Sequence, residues 1–426
     1  MENIVADRPI KVGVLGARRG MAFAESAKHS GMEFVAVCDI WETRLNEVAG
    51  KYDVAGYVDY DRFLEHEMDA VVIATPFPIH AEFAIKALDA GKHVITETSC
   101  NVTLAEGVAL CRKVEETGLC YMLAENYCYT IFNTEMHRLY QSGEIGKVTY
   151  AEGEYNHPMS AEGRMSISPG RYHWRSYIPP TYYNTHALAP LMYITQTMPV
   201  SVSGHSIRCN ENDAGTFRAA DNGCVIICRM DNGAVFRIFG LLMPGHSNWY
   251  RLFGTTGGME VERGPGYFGT ERVRVWHDEW DMKQGQSPDM TYTPIWNENA
   301  EVAKNAGHGG GDFWTEHYFA EAIRTGVQPY LDVYKGVAMS NVGILAWRSA
   351  LENGKPIDVP DFSIESERKK YENDNLCPFP FMEGKTLIPC TVGPQKEPDE
   401  NAEALAIKKW GELGYSDEEI SDMLKK

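Results

Sequence analysis

Apolar positions recur in two different rhythms along this chain. Up to about residue 125, short apolar runs, IKVGVLG (10–16), FVAVCD (34–39), AVVIAT (70–75), HVITE (93–97) and CYMLAE (120–125), alternate with stretches of helical spacing at 17–31, 42–51, 79–90 and 103–117. The short runs read as buried strands and the longer stretches as helices. Their alternation predicts an α/β unit with a doubly wound parallel sheet, in which ligands sit beyond the carboxyl ends of the strands. From residue 147 the rhythm becomes one of period two: KVTYAEGEYNH (147–157), VSVSGHSIR (200–208), CVIICRM (224–230) and AVFRIFG (234–240), with Asp231-Asn232-Gly233 as a hairpin turn. Further strands are expected at 249–254, 259–262 and 271–276, giving an α+β domain on a large, open, mostly antiparallel sheet of six or more strands. Helices such as 183–196 and 313–325 would cover one face, and a broad apolar open face would bury itself against a second copy as a homo-dimer or homo-tetramer. The domains predicted are 1–127, 128–362 and an extension at 363–426, whose two short helices are expected to serve packing or assembly.

Composition narrows the partners. With 426 residues, 44% of them apolar, the chain is long enough for two cores. The formal charge of −19, without a block of lysine or arginine, argues against nucleic acid or an anionic membrane surface and for a small molecule. Ten cysteines, Cys209 among them, lie scattered without a C-x-x-C pair, as expected of buried thiols in a reducing compartment. The N-terminal segment lacks the features of a signal peptide, and no stretch approaches about 18 unbroken apolar residues. A cytoplasmic protein is expected.

The turn after the first strand reads Gly16-Ala17-Arg18-Arg19-Gly20. Against the dinucleotide fingerprint G-x-G-x-x-G, Arg18 replaces the second glycine and the third falls one place early. A tight turn into a helix still suits a pyrophosphate, and Arg18 or Arg19 could add positive charge there. Asp39 ends the second strand about 20 residues on, where a carboxylate takes ribose hydroxyls and disfavours a 2′-phosphate. NAD is therefore expected over NADP, with Arg44 keeping the second option open.

A second constellation stands at YYNTHALAP (182–190), shortly after HWRS (173–176). His157, His173, His186 and His308 could in principle ligate a metal, but no pair has i, i+4 spacing, and no metal is expected. Tyr183 and His186 are either satisfied polar residues at a helix start or an acid/base pair.

Three strand ends, ATPFPIH (74–80), GKHVITETS (91–99) and AENYCY (124–129), together with the first turn, resemble the Gfo/Idh/MocA family. The resemblance implies an N-terminal NAD-binding Rossmann domain, with Thr75, Pro76 and His80 near the cofactor. It also exposes departures. Glu97-Thr98-Ser99 stands where the family has Glu-Lys-Pro, so the lysine of its ordinary dehydrogenases is absent, and Tyr182 replaces the usual Asp four residues before His186. EGEYNHP (152–158), the WR of HWRS, YYNTHALAP, GHGGGDF (307–313) and the segment 331–362 resemble the narrower glycoside hydrolase family 109 branch. Asn184 and Gly311 depart from that branch, and the likeness spans about residues 10–362.

This resemblance implies a glycosidase that uses NAD in a redox-neutral cycle. A C3 hydroxyl is oxidised, the C2 proton becomes acidic, the group at C1 is eliminated, water adds and C3 is reduced again. Tyr183 and His186 would move protons at the C3 hydroxyl and C2, and His157 would address the sugar hydroxyls or the departing oxygen. Trp174 and Arg175 would close over the nicotinamide, with Glu97 beside it, while Glu125 and Asn126 would border both ligands. His308 and Asp312 either cap the sugar or merely form a structural turn. Two alternatives are an NAD-dependent sugar or polyol dehydrogenase and a catalytically silent NAD-binding protein.

Overall fold

The computed structural model describes residues 8–208, 215–296, 299–395, 397–398 and 400–425. Six parallel strands, β1 (Ile10–Leu15), β2 (Met32–Cys38), β3 (Ala55–Tyr57), β4 (Ala70–Ile73), β5 (His93–Thr96) and β6 (Tyr121–Leu123), form the first sheet in the order β3-β2-β1-β4-β5-β6. The connecting helices are α1 (Gly20–Ser26), α2 (Glu42–Tyr52), α3 (Tyr60–Leu64), α4 (His80–Asp89) and α5 (Leu104–Thr117). Strand order reverses beside β1, which opens the ligand crevice at the carboxyl ends of β1 and β4. A capping box of Thr103 and Glu106 starts α5, and Gly118, at φ +65°, ends it.

After α6 (Ile131–Gln141) the second sheet begins with β7 (Val148–Asn156). Three helices follow, α7 (Ala161–Ile167), α8 (Trp174–Tyr177) and α9 (Thr185–Thr195). Strands β8 (Pro199–Ile207), β9 (Gly223–Met230), β10 (Val235–Leu241), β11 (Ser247–Gly254), β12 (Gly258–Val261), β13 (Val273–Trp276) and β14 (Asp289–Tyr292) come next. The chain then runs through α10 (Ala300–Asn305), α11 (Gly311–Thr325), α12 (Val333–Leu351), β15 (Ile357–Asp358), α13 (Glu365–Tyr371), the small pair β16 (Leu376–Cys377) and β17 (Thr386–Leu387), α14 (Ala402–Glu412) and α15 (Asp417–Lys425). The nine-stranded sheet is ordered β14-β13-β12-β11-β7-β10-β9-β8-β15, and only β7 and β10 pair in parallel.

Helices α9 and α12 cover one face of this sheet, and they come very close. A Cβ on Gly153 of β7 would lie 2.0 Å from the Ala187 carbonyl oxygen of α9, and one on Gly204 of β8 would lie 2.1 Å from that of Ala346 in α12. Two expectations change here. The helix at 313–325 does not cover the sheet: α11 packs on α1 and the turn at 27–30, where Arg324 donates to the carbonyl oxygens of Ser30 and Gly31. Nor is the open face broadly apolar. It carries Arg237 paired with Glu152 (2.9 Å), Arg251 with Glu260 (2.9 Å) and Arg274 with Asp289 (2.6 Å), with Arg263 stacked over Trp249. Outward positions of these strands alternate with a fully buried inner row, so the outer row was free to become charged.

The nine cysteines among the described residues are free and buried, and Cys209 lies outside the described residues. No helix among the described residues is long and apolar enough to cross a membrane.

Candidate active site

The crevice starts at the first turn. Gly16 has φ +107°, and a Cβ there would sit 2.6 Å from the Ala74 carbonyl oxygen; one on Gly20 would sit 2.4 Å from a methyl of Val14. Both glycines are thus required sterically, while the exposed side chain of Arg18 is accommodated between them. Asp39 is fixed by two backbone amides: Ala17 N donates to Oδ2 (2.7 Å) and Trp41 N to Oδ1 (2.8 Å). Further lone pairs on the same carboxylate remain for ribose hydroxyls. Arg44 donates to the Ala17 carbonyl (3.1 Å) and pairs with Glu47 (3.1 Å), so it is already engaged and gives a 2′-phosphate little support.

The loop after β4 adds Thr75, whose Oγ1 is buried without a hydrogen-bond partner, and exposed Pro76. His80 is a strut: its ring nitrogens meet the carbonyl oxygens of Ser99 and Thr75, each at 2.9 Å, and it is wholly buried. It joins the loops after β4 and β5 and leaves no nitrogen for a ligand. A turn that needs glycine at both ends, a fixed carboxylate and an orphaned hydroxyl together fit a nicotinamide dinucleotide.

At the far end of the crevice, β6 delivers Glu125 and α9 delivers His186. Nδ1 of His186 lies 2.8 Å from Oε1 of Glu125, which is completely buried. The Tyr250 hydroxyl donates to the His186 carbonyl at 2.5 Å, anchoring the start of α9. With Nδ1–H donated to the carboxylate, Nε2 is left as the proton acceptor. Among the described residues it makes no hydrogen bond within the protein. The rings of Tyr127 and Tyr155 (4.5 Å each) and Tyr183 (5.2 Å) surround the imidazole.

His157, just past β7, stands 5.5 Å from Tyr267 and 5.4 Å from His246 between ring centroids. Burial, with the nearby His246, His186 and Arg175, lowers its pKa, so its ring is neutral at neutral pH. Tyr155, His157, Arg175 and Tyr183 share the wall of a cavity of about 240 Å³ with Arg164, Arg218 and apolar residues including Phe217 and Leu241. Arg175 lies over the Trp174 ring at 4.3 Å, and Trp174 packs edge-on to Phe77 of the β4 loop at 5.9 Å. The short helix α8 is thereby laid against the cofactor side.

A second polar network runs alongside. Arg19, expected to add charge near the phosphates, pairs with Glu97 (2.5 Å) and reaches Asp312 (3.5 Å). Asn126 donates to Asp312 Oδ1 at 2.7 Å, and His308 Nδ1 lies 2.9 Å from Oδ2. Burial pushes the Asp312 carboxyl up, but His308, Arg19 and Asn126 together hold its pKa at about 2. One turn further along α11, Glu316 is buried and accepts from Ser26, and burial raises its pKa well above the usual carboxyl range. Thr98, where the family carries lysine, is buried.

The structure thus gathers Tyr183, His186, His157, Glu125 and Arg175 at one end, and Asn126, Asp312, His308 and Glu97 in the adjoining network. Sequence reasoning missed Tyr127, Tyr155 and Tyr267, as well as the pairing of Arg19. Tyr127 and Tyr155 lay inside motifs already singled out, whereas Tyr267, whose hydroxyl lies 2.9 Å from that of Tyr127, sits in a loop without a sequence signal. Among the described residues no three of His, Cys, Asp and Glu form a metal-holding group.

Comparison with known proteins agrees with this geometry. Residues 10–125 match the oxidoreductase family NAD-binding Rossmann fold, 133–260 the GFO/IDH/MocA C-terminal domain, and 208–369 the glycosyl hydrolase 109 C-terminal domain. A glycosyl hydrolase family 109 protein of Stenotrophomonas maltophilia is 25% identical, the match covering 85% of this chain and 91% of the relative. Glycosyl hydrolase family 109 protein 1 of Bacteroides thetaiotaomicron is also 25% identical, over 83% of this chain and 85% of its own length. In fold, the chain is similar to levoglucosan dehydrogenase in complex with NADH and L-sorbose (TM-score 0.70, 20% identity, 83% of this chain and 100% of that one). It is also similar to an inositol dehydrogenase homolog from Azotobacter vinelandii in complex with NADH and myo-inositol (TM-score 0.68, 18% identity, 83% and 98%). The chain belongs to the Gfo/Idh/MocA oxidoreductase family, as an NAD-binding enzyme of oxidoreductase type whose C-terminal domain is of the glycosyl hydrolase 109 kind.

Proposed function

We propose that the protein is a glycosidase that hydrolyses a carbohydrate glycoside through transient oxidation at C3, keeping its NAD from one turnover to the next. The observation that carries this is the buried Glu125–His186 pair, set among tyrosines beside a cavity in a chain that has Thr98 in place of the family's lysine. The name of the relatives, glycosyl hydrolase family 109 protein, supports a glycoside as substrate.

Bound NAD supplies a reversible acceptor for the C3 hydride. The remaining steps are proton movements made by this chain. His186 Nε2 takes the C3 hydroxyl proton, and Glu125 stabilises the resulting imidazolium while holding the ring in place. The C3 ketone acidifies the C2 proton; once His186 has passed the hydroxyl proton by way of Tyr183 to solvent, its Nε2 lone pair is free again to take the C2 proton. Loss of that proton expels the C1 oxygen, which takes a proton from solvent and leaves as the alcohol; water then adds at C1 with return of a proton to C2, and hydride and a proton return to C3. The sum is glycoside plus water giving free sugar plus alcohol. His157, kept neutral by its lowered pKa, suits a hydrogen bond to a sugar hydroxyl better than protonation of the departing oxygen. Trp174 and Arg175 would screen the nicotinamide from water, and His308 with Asp312 would cap the sugar.

The test is leaving-group release from a panel of aryl α- and β-glycosides by protein purified without added nucleotide, in deuterated water. Many turnovers per bound nicotinamide, no net NADH and deuterium at C2 of the product are expected. NADH accumulation from free sugars with no release would show a dehydrogenase instead, and nucleotide binding without turnover of either kind a silent binder.

A further inference from the structure

The C-terminal extension reaches back to the adenosine end of the first domain. Its helix α14 packs on α7, where Trp410 is wholly buried with Met165 and Phe217 and donates its indole N–H to the Met165 carbonyl at 2.9 Å. Beyond α14 the chain turns, and Tyr415 stacks face to face on Trp41 with ring centroids 4.3 Å apart and planes 13° from parallel. Trp41 follows directly on the strand end that carries Asp39. Between the two segments lies a cavity of about 350 Å³, walled by Arg18, Trp41, Thr43, Arg44 and Glu47 on the first-domain side and by Leu413 and Gly414 on the other.

We propose that Leu413, Gly414 and Tyr415 are part of the cofactor site, and that this arm closes over the adenosine half of the dinucleotide and slows its departure. The surroundings suit such a group: Trp41, backed by the Tyr415 ring, offers an aromatic wall, Arg18 a guanidinium, and Asp39, which lies near Tyr415 just outside the cavity, a carboxylate for the ribose. The cavity is open on one side and the arm forms one of its walls, so a ligand seated there leaves more slowly while its contacts with the arm hold. The inference rests on NAD binding alone, and holds whether the enzyme is a glycosidase or a dehydrogenase.

The experiment reads binding, not turnover. In the full-length protein, Tyr415→Ala is expected to speed NADH dissociation, followed by stopped-flow fluorescence, at least tenfold. It should weaken ADP-ribose, measured by calorimetry, to a similar degree, with nicotinamide mononucleotide unaffected. Tyr415→Phe, which keeps the stack, should stay within about twofold of wild type. Hydrogen exchange on the wild-type protein provides the measurement that needs no variant: adding ADP-ribose should slow exchange of the amides at 413–415. Unchanged dissociation in a folded Tyr415→Ala variant, equal weakening of nicotinamide mononucleotide, or no protection of the arm would each overturn the assignment.

Discussion

Glu125 and His186 are useful to each other only as a pair, because a buried carboxylate orients the ring and a neutral ring leaves that carboxylate with a donor. Replacing His186 with Ala should therefore lower kcat about a thousandfold with NADH affinity retained, while Glu125→Gln, which loses the charge and keeps the shape, should cost less. Steady-state kinetics alongside a fluorescence titration of NADH separates these effects, and full activity in His186→Ala would sink the assignment. His186 was legible because a histidine opening an apolar helix stands out. The tyrosines around it were not, since an aromatic residue in a strand reads as core until its neighbours are known. The partners of Arg19 were hidden for a related reason: proximity to the glycine turn suggested phosphates, and nothing local showed that its long side chain also reaches Glu97 and Asp312. Glu316 lies under that network with its pKa raised by burial. A carboxyl raised on folding adds nothing below its ordinary pKa and costs stability as pH climbs above it. Glu316→Gln should thus match wild type in urea unfolding near pH 4.5 and exceed it by roughly 1 kcal/mol per pH unit above that, until the raised pKa is passed. Equal stability at all pH values would mean that Glu316 ionises normally.

Among the elements, α9 on β7 sets the position of the reacting groups, for β7 leads into His157 and α9 carries His186. The two meet at Gly153, where no side chain fits against the Ala187 carbonyl, the residue after His186. Gly153→Ala should force helix and strand apart, costing about 3 kcal/mol in stability. It should also lower kcat by more than His157→Gln does, since it displaces both sides of the site. A melting curve and kinetics at a temperature where the variant is folded would check this, and a wild-type melting temperature would show that the contact yields easily. Strands and helices themselves were readable because period two and period 3.6 differ plainly in this chain. Which helix covers which sheet was not: α11 buries residues nearly all round, Asp312 and Glu316 included, so no single apolar stripe points to its partner. The same is true of α12, which packs on both β8 and α5. The arm after 401 read as a packing device, and nothing in its composition indicated that it ends against Trp41.

For the whole molecule, the open face of the nine-stranded sheet is the surface on which assembly is expected. Its arginines and carboxylates alternate across neighbouring strands, with Glu154 nearly buried between Arg237, Arg263 and Ser247, and guanidinium groups lie over the rings of Trp249, Phe253 and Trp276. A surface whose arginines are already paired with carboxylates of the same chain is locally near neutral, so a second copy can lie against it without like-charge repulsion. That matters for a chain of formal charge −19, whose copies otherwise repel one another. We therefore expect a dimer or tetramer through this face, held by half-buried ion pairs and aromatic stacks in place of the broad apolar contact suggested by the sequence. Light scattering should give a multiple of the 47.8 kDa chain mass at low and moderate salt. Reversing two charges together, Arg237→Glu with Arg251→Glu, should yield monomers that still bind NADH, because neither residue touches the crevice. A wild-type monomer at micromolar concentration, or a double variant that stays assembled, would place the interface elsewhere.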